Sequence, residues 1–232
     1  MEQNHHLARL LRTASAEIGI TLHEIQVKQF MLYLEQLQSW NRLVNLTGLK
    51  TDKDIIIKHF VDSLVALKVE ELRHHATLLD IGTGPGFPGI PLRIAREDLN
   101  ITLIEPTEKK ISFLYLIVGI LKLDRVRIFH GTLEQFLADG TANQRFDYVT
   151  TRALKPDMML RYGTQLLAGG GRLILYLSRP ILSPEFEKKK WTLFKEYGLE
   201  LPQGSGRRVV SMLTEVRESA QAVPRGTAVP SC

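Results

Sequence analysis

Apolar positions in the first seventy residues recur at helical intervals, and from Ala76 onward they bunch into short runs. Thr21-Leu22-His23-Glu24 has the spacing of a capping box, and Ile25, Phe30, Met31, Leu34, Leu37, Asn41 and Val44 follow on one helical stripe. This pattern predicts a helix that ends near Asn45-Leu46-Thr47-Gly48, where turn formers collect. A second helix starts after Thr51 or Asp52 and carries Ile55, Ile56, His59, Phe60, Ser63, Leu64 and Leu67. Beyond Ala76, strands are predicted at 77–81, 101–105, 126–129, 146–150 and 172–177. Between them, 89–96, 109–121, 133–137 and 158–167 read as helices. Short apolar runs alternating with amphipathic segments are the mark of βαβ units, so an α/β, doubly wound, Rossmann-like parallel sheet is expected. After Ser178 the pattern predicts a charged helix over 184–197 and a last strand over 209–216. Residues 218–232 have little to bury and are expected to be disordered. The division is an N-terminal helical segment, 1–72, packed on a core, 73–217, with the tail 218–232.

The first strand runs into DIGTGPGFPG, residues 80–89, a stretch whose glycines and prolines can continue neither strand nor helix. In an open α/β sheet, ligands bind at this strand-to-helix turn, where the next helix is expected to aim free N–H groups at a nucleotide-like ligand. Gly84-Pro85-Gly86-Phe87-Pro88-Gly89 formally matches the GxGxxG of NAD-binding folds, and Glu105 at the end of the second strand could hold a ribose for either cofactor. The alternative is S-adenosylmethionine: Asp80 would repel a pyrophosphate but suits the amino and sulfonium groups of the methyl donor.

Composition narrows the class. The single cysteine, Cys232, rules out an intramolecular disulfide and fits a reducing cytosol. The N-terminus lacks a signal pattern and no apolar run reaches a membrane span, so a cytoplasmic protein without membrane association is expected. A net charge of +5 fits an acidic partner such as nucleic acid without requiring one.

Later features favour the methyl donor. Phe146-Asp147-Tyr148-Val149 leads into Thr150-Thr151-Arg152, and the run from Leu166 to Ile174 reads as helix, glycine turn, strand; over residues 76–177 this order resembles class I S-adenosylmethionine-dependent methyltransferases. Longer strings resemble one family within that class. Trp40-Asn41, Asn45-Leu46-Thr47, His59-Phe60-Val61-Asp62-Ser63, LLDIGTGPGFPGIPL, IEPTEKKISFL and Arg152-Ala153 are similar to the bacterial GidB or RsmG family, methyltransferases that modify N7 of one guanine in small-subunit (16S) ribosomal RNA. The resemblance runs from Tyr33 to Leu177, and the two prolines inside the glycine loop are its most specific mark.

The resemblance implies that Gly82 and Phe87 line the methionine end of S-adenosylmethionine, that Glu105, Pro106 and Thr107 meet its ribose, and that Leu133 and Glu134 flank its adenine; Asp80, Gly84, Gly86 and Arg152 are the other cofactor-binding residues expected. Arg152 would stand at the mouth between cofactor and substrate, with Lys109 and Lys110 near the same opening. The partner implied is small-subunit ribosomal RNA or the 30S particle, the enzyme acting as a monomer. One departure stands out: the family's Leu-Lys-Gly at the end of the fifth strand is Tyr176-Leu177-Ser178 here, with Arg179 as the substitute for the missing lysine. A methyltransferase acting on another substrate, and a noncatalytic RNA-binding assembly factor, are the competing readings.

Guanine N7 offers a lone pair without first losing a proton, so no general base is expected. A guanidinium beside a purine gaining positive charge stabilises it poorly, so the role for Arg152 is positioning O6 or a flanking phosphate. His59 and Asp62, three apart on an expected helix, read either as a hydrogen-bonded pair tying the N-terminal helices to the glycine loop or as substrate-side residues. No second cluster at ligand spacing accompanies them, so no metal is expected. Lys188-Lys189-Lys190 and Arg207-Arg208 are solvated faces or phosphate contacts.

Overall fold

The computed structural model describes residues 2–139, 144–152, 154–181 and 190–216. The chain opens with α1 (Glu2–Glu17) and α2 (Glu24–Val44), followed by a broken helical stretch. That stretch is α3 (Asp52–Ile55), a π-helical turn (Ile56–Val61), α4 (Asp62–Leu64) and α5 (Ala66–Val69). The alternating part is β1 (Thr77–Ile81), α6 (Gly89–Ala95), β2 (Asn100–Glu105), α7 (Glu108–Ile120), β3 (Val126–His130), α8 (Leu133–Ala138), β4 (Phe146–Thr151), α9 (Pro156–Leu166) and β5 (Leu167–Leu177). It closes with β6 (Trp191–Glu200) and β7 (Arg207–Glu215).

The strands form one sheet in the order β3-β2-β1-β4-β5-β7-β6. β1 to β5 are parallel, while β7 runs antiparallel to both β5 and β6. β1 is central: Asp80 stands opposite Leu103 of β2 on one side and Thr150 of β4 on the other. The chain leaves β1 for β2 and later returns to its other side as β4. Crossovers therefore diverge above the carboxyl end of β1, which is where a crevice opens in a doubly wound sheet.

Both faces are covered, as continuous apolar strands demand. Leu78 and Leu103 point into a core shared by α1, α2, the π turn, α6 and α7, with Leu11, Phe30, Tyr33, Phe60 and Phe113 buried in it. Leu79, Ile104 and Val149 point to the opposite face, against Phe136, Met159, Leu160 and Trp191. The N-terminal helices thus complete one side of the sheet. No helix among the described residues is long and apolar enough to cross a membrane.

Three expectations are corrected. α2 starts two residues later than the Thr21 box: the Gln26 side chain accepts from the His23 N–H at 2.8 Å, and its amide donates to the carbonyls of Ile94 and Ala95 at the end of α6. That second task buries Gln26 and turns Ile25 outward, 71% exposed. The second predicted helix is not uniform, because Ile56, Ile57, Phe60 and Val61 are all buried and the wider i→i+5 turn gives all of them core contacts. Of the charged helix expected over 184–197, residues 184–189 lie outside the described residues and Trp191–Glu200 is strand β6. Trp, Thr, Phe and Tyr favour a pleated surface, and pairing from Trp191 opposite Glu215 to Glu200 opposite Arg207 provides the ladder that local periodicity could not see. The tail 218–232, with Cys232, lies outside the described residues.

Candidate active site

A cleft of about 360 Å³ opens at the carboxyl ends of β1 and β2. Ile81 and Gly82 after β1, Glu105, Pro106, Thr107 and Lys110 from β2 and the start of α7, Leu133 and Glu134 from α8, and Leu154 and Met158 line it. Each group arrives by a short connection from the end of a strand or the start of the following helix. α8, for instance, begins at a capping box in which Thr132 Oγ1 accepts from the Gln135 N–H and Gln135 Oε1 accepts from the Thr132 N–H. That box presents Leu133, buried, and Glu134, exposed, side by side.

The glycine loop is shaped by its own hydrogen bonds. Gly82, Gly84 and Gly86 all have positive φ, at 67°, 64° and 114°. The N–H groups of Gly82 and Thr83 both donate to the Ile104 carbonyl, those of Gly86 and Phe87 to the Thr83 carbonyl. The Gly84 N–H donates to Glu105 Oε2 at 2.9 Å, and the Gly89 N–H to Asp80 Oδ2 at 2.8 Å. Pro85 and Pro88 have none to offer. Every N–H of the loop is therefore engaged within the protein, and the Ile90 N–H at the start of α6 already meets the Gly86 carbonyl. This corrects the expectation of free N–H groups aimed at the ligand: the loop lacks the cradle of donors that a pyrophosphate requires. Carbonyls and a carboxylate remain to face a ligand, a set that suits the amino group and sulfonium of S-adenosylmethionine rather than a dinucleotide.

Glu105 is 3% exposed and holds the entrance together. Its Oε2 accepts from Gly84, its Oε1 accepts from the Thr107 N–H at 3.0 Å, and Lys110 Nζ stands 3.7 Å from Oε1. Two backbone donors leave lone pairs on both oxygens, so the carboxylate can still receive a pair of vicinal hydroxyls.

Asp80 lies beneath the loop and does not line the cleft. It is fully buried, with Oδ2 receiving both the Thr83 hydroxyl at 2.6 Å and the Gly89 N–H, while Oδ1 has no hydrogen-bond partner. Burial pushes its carboxyl up to about 7, against the pull of those two bonds and of the Arg152 charge. The folded protein therefore keeps a proton that the unfolded chain has lost above its ordinary value of 3.8. Stability from this group is full below that value and declines as pH rises toward 7, then levels off. The stability difference between the wild type and Asp80→Asn should accordingly move against the wild type between about pH 5 and about pH 8. Urea unfolding at both pH values tests this, and a constant difference would disprove the assignment.

Gly86 and Phe87 also sit behind the cleft, gripped from the N-terminal side. Tyr33 is fully buried and donates to the Pro85 carbonyl at 2.6 Å. Its ring stacks on Phe87 at 5.4 Å, and a Cβ on Gly86 would come within 2.7 Å of its oxygen. Burial, with Asp80 nearby, raises the phenol well above its ordinary value, so it stays a donor. Tyr33→Phe leaves that carbonyl unpaired, and a loss of about 1–2 kcal/mol is expected in chemical denaturation. An unchanged midpoint would show that water replaces the bond.

His59 and Asp62 do not pair with each other, because the π turn displaces them from the common face that an α-helix would give. The His59 ring stacks on Phe87 at 4.4 Å, and its Nε2 lies 2.7 Å from Thr47 Oγ1. Burial and the Arg152 charge hold it neutral down to about 3, which leaves it no use as a base near neutrality. Asp62 is fully buried between two arginines: Arg152 Nη2 lies 2.8 Å from Oδ2, and Arg208 reaches both carboxylate oxygens. Of the two, only His59 reaches the glycine loop, where it joins Tyr33 and Phe60 on Phe87, and Asp62 ties the same segment to Arg152 after β4 and to β7.

The cleft therefore gathers Gly82, Glu105, Pro106, Thr107, Leu133, Glu134 and Lys110. Gly84 joins it through Glu105; Asp80, Gly86, Phe87 and Arg152 stand outside its lining, and Lys109 is exposed on α7. Arg208, read as a phosphate contact, is engaged with Asp62, whereas Arg207 is exposed. Lys188 and Lys189 lie outside the described residues; Lys190 and Arg179 are exposed. Tyr33, Thr47, Thr83 and Met158 belong to the site but were not singled out: Thr47 and Thr83 fall within strings that carry the resemblance, while nothing local marks Tyr33 or Met158.

Comparison with known proteins bears on the fold and the family. A family model described as GidB, rRNA small subunit methyltransferase G, matches residues 26–202. A protein of Leuconostoc citreum named ribosomal RNA small subunit methyltransferase G is 33% identical over 228 residues, spanning 94% of this chain and 95% of its own length. Among solved structures, a putative O-methyltransferase from Klebsiella pneumoniae superposes with a TM-score of 0.55 at 16% identity, covering 79% of this chain and 89% of its own. A SAM-dependent methyltransferase from Thiobacillus denitrificans in complex with S-adenosyl-L-homocysteine superposes with a TM-score of 0.51 at 12% identity, over 66% of this chain and 90% of its own. These likenesses establish a class I methyltransferase fold.

Proposed function

The chain belongs to the GidB family of rRNA small subunit methyltransferases, and on that premise we propose that it methylates N7 of a guanine in 16S ribosomal RNA at the expense of S-adenosylmethionine. The observation that carries the choice of cofactor is the glycine loop, whose N–H groups are all bonded internally while Glu105 keeps open lone pairs at the cleft. S-adenosylmethionine supplies an electrophilic methyl group on a sulfonium centre. The residues present fit it: Glu105 and Thr107 receive the ribose, Leu133 and Glu134 flank the adenine, and Gly82, with Gly84 behind it, faces the methionine end.

The chemistry asks little of the protein in proton transfer. Bound here, S-adenosylmethionine would supply its methyl carbon to the N7 lone pair, with the carbon–sulfur electron pair leaving on sulfur and the positive charge passing to the purine. No proton moves in that step, and no general base is needed. What this chain contributes is proximity and alignment. The rigid loop fixes the donor from below, and Arg152, at the end of β4, fixes the acceptor through its paired donors. His59, held neutral, adds no charge to oppose the cation formed on the base. The setting is the cytoplasm, where ribosomal subunits are made, and the working substrate is the 30S particle or its RNA.

Incubation with labelled S-adenosylmethionine and separated ribosomal fractions tests the reading, followed by mapping of the modified nucleotide. Label at one guanine of the small-subunit RNA, at N7, is the expected result. Label confined to protein or to small molecules would overturn it and favour a methyltransferase of other specificity.

A further inference from the structure

Lys110 stands where the start of a helix least favours a cation. It is the third residue of α7, after Glu108 and Lys109, and positive charge in a first turn opposes the helix dipole. Lys109 is exposed and lies outside the cleft, whereas Lys110 lines the cleft and keeps only 31% of its side chain exposed. Among the described residues it is the only cation lining that cleft. Its Nζ stands 3.7 Å from Glu105 Oε1, near enough for charge attraction and too far for a hydrogen bond. Among the described residues the three donors of the ammonium make no hydrogen bond. A rule of helix starts is thus broken for a cation held beside the buried carboxylate with its donors unused, a departure that a functional site explains.

We propose that Lys110 is a cofactor-binding residue whose ammonium donates to the ribose hydroxyl that hydrogen-bonds to Glu105 Oε1. A carboxylate takes only the protons of two vicinal hydroxyls, and the hydroxyl oxygens that enter the cleft still require donors. A buried acceptor left without a donor weakens binding. The glycine loop has none to offer: the N–H groups of Gly82, Thr83, Gly86 and Phe87 are bonded to carbonyls, and those of Gly84 and Gly89 to carboxylates. The Thr107 N–H is bonded to Glu105 Oε1. Lys110 supplies the missing donor, and because its approach is to Oε1 it serves one hydroxyl of the pair. This moves Lys110 from the RNA side of the opening, where it was expected together with Lys109, to the cofactor side.

The inference rests on S-adenosylmethionine as the cofactor, and binding of S-adenosylhomocysteine to the wild type, read by titration calorimetry, is the control: without it the cofactor reading itself fails, whatever the variant does. In Lys110→Met, which keeps an apolar stem and removes the donors, the Kd for S-adenosylhomocysteine should rise about tenfold to a hundredfold. The 2′-deoxyribose and 3′-deoxyribose forms of S-adenosylhomocysteine then locate the contact. Compared with the wild type on the same probe, the loss should persist with one form and shrink to within about threefold with the other, which lacks the hydroxyl on Oε1. An effect transmitted through the fold or through Glu105 alone would weaken both forms alike. At saturating S-adenosylmethionine, the salt dependence of RNA binding by Lys110→Met should match the wild type, because no phosphate contact has been lost. The proposal is overturned if the Kd for S-adenosylhomocysteine stays within about threefold of the wild type, if both deoxyribose forms show the same loss, or if the salt dependence of RNA binding falls by about one phosphate contact.

Discussion

Asp62→Ala should destabilise the protein by about 3–5 kcal/mol, the range for breaking a buried ion pair by removing one partner. Two guanidiniums would then face each other across the space the carboxylate occupied, each about one-fifth exposed and so only partly relieved by water. The loss also cuts the carboxylate link from α4 to Arg152 and Arg208, leaving Arg152 on the Lys58 carbonyl and Arg208 on the Leu177 carbonyl. Denaturation in urea measures the change. Asp62→Asn should cost less, because its oxygen still accepts from one arginine and no charge is left unbalanced on the carboxylate side. A loss below about 1 kcal/mol for the alanine variant would mean that the cluster opens to solvent and behaves as a surface pair.

Glu105→Ala should weaken S-adenosylmethionine binding by about a hundredfold to a thousandfold. Hydrogen bonds to a charged acceptor contribute about 1.5–3 kcal/mol each, and the carboxylate is placed to take two hydroxyls. The change acts twice, since the Gly84 and Thr107 N–H groups lose their acceptor and the glycine loop loses the contact that fixes it to β2. Glu105→Gln keeps one acceptor oxygen and should lose about tenfold. Titration calorimetry with S-adenosylhomocysteine reads both. Affinity for the alanine variant within about threefold of wild type would place the ribose elsewhere.

The strands of the alternating region were legible because each is a short apolar run bounded by turn residues, and β1, β2 and β4 fall where the runs are. Glu105 was legible for the same reason, as the acid that ends the second run. The cofactor choice was reached from Asp80, yet the loop in three dimensions makes the stronger case: the internal bonding of its N–H groups depends on Ile104, Thr83 and Glu105 and cannot be seen in GxGxxG spacing. β6 was read as helix because charge periodicity over 184–197 is a local signal, whereas its ladder to β7 is a pairing across the intervening turn. Asp62 and Arg208 are 146 residues apart. Nothing local in either tells that a pair of adjacent arginines divides into one exposed side chain and one locked on a buried acid. The π turn was hidden for a related reason: an all-round apolar segment fits more than one helical pitch, and only the cores on its several sides choose between them.

The aromatic grip on the glycine loop fixes an order of events during synthesis. Tyr33 and Phe60 leave the ribosome before Phe87 and Phe113, the rings they pack against, so α1 and α2 emerge with an apolar side and no sheet to cover. The cluster closes only after α7 has followed, and until then the Pro85 carbonyl is without its phenol. The nascent chain therefore acquires a formed methyl-donor loop late, after more than a hundred residues are out, and not as soon as the loop itself has been made.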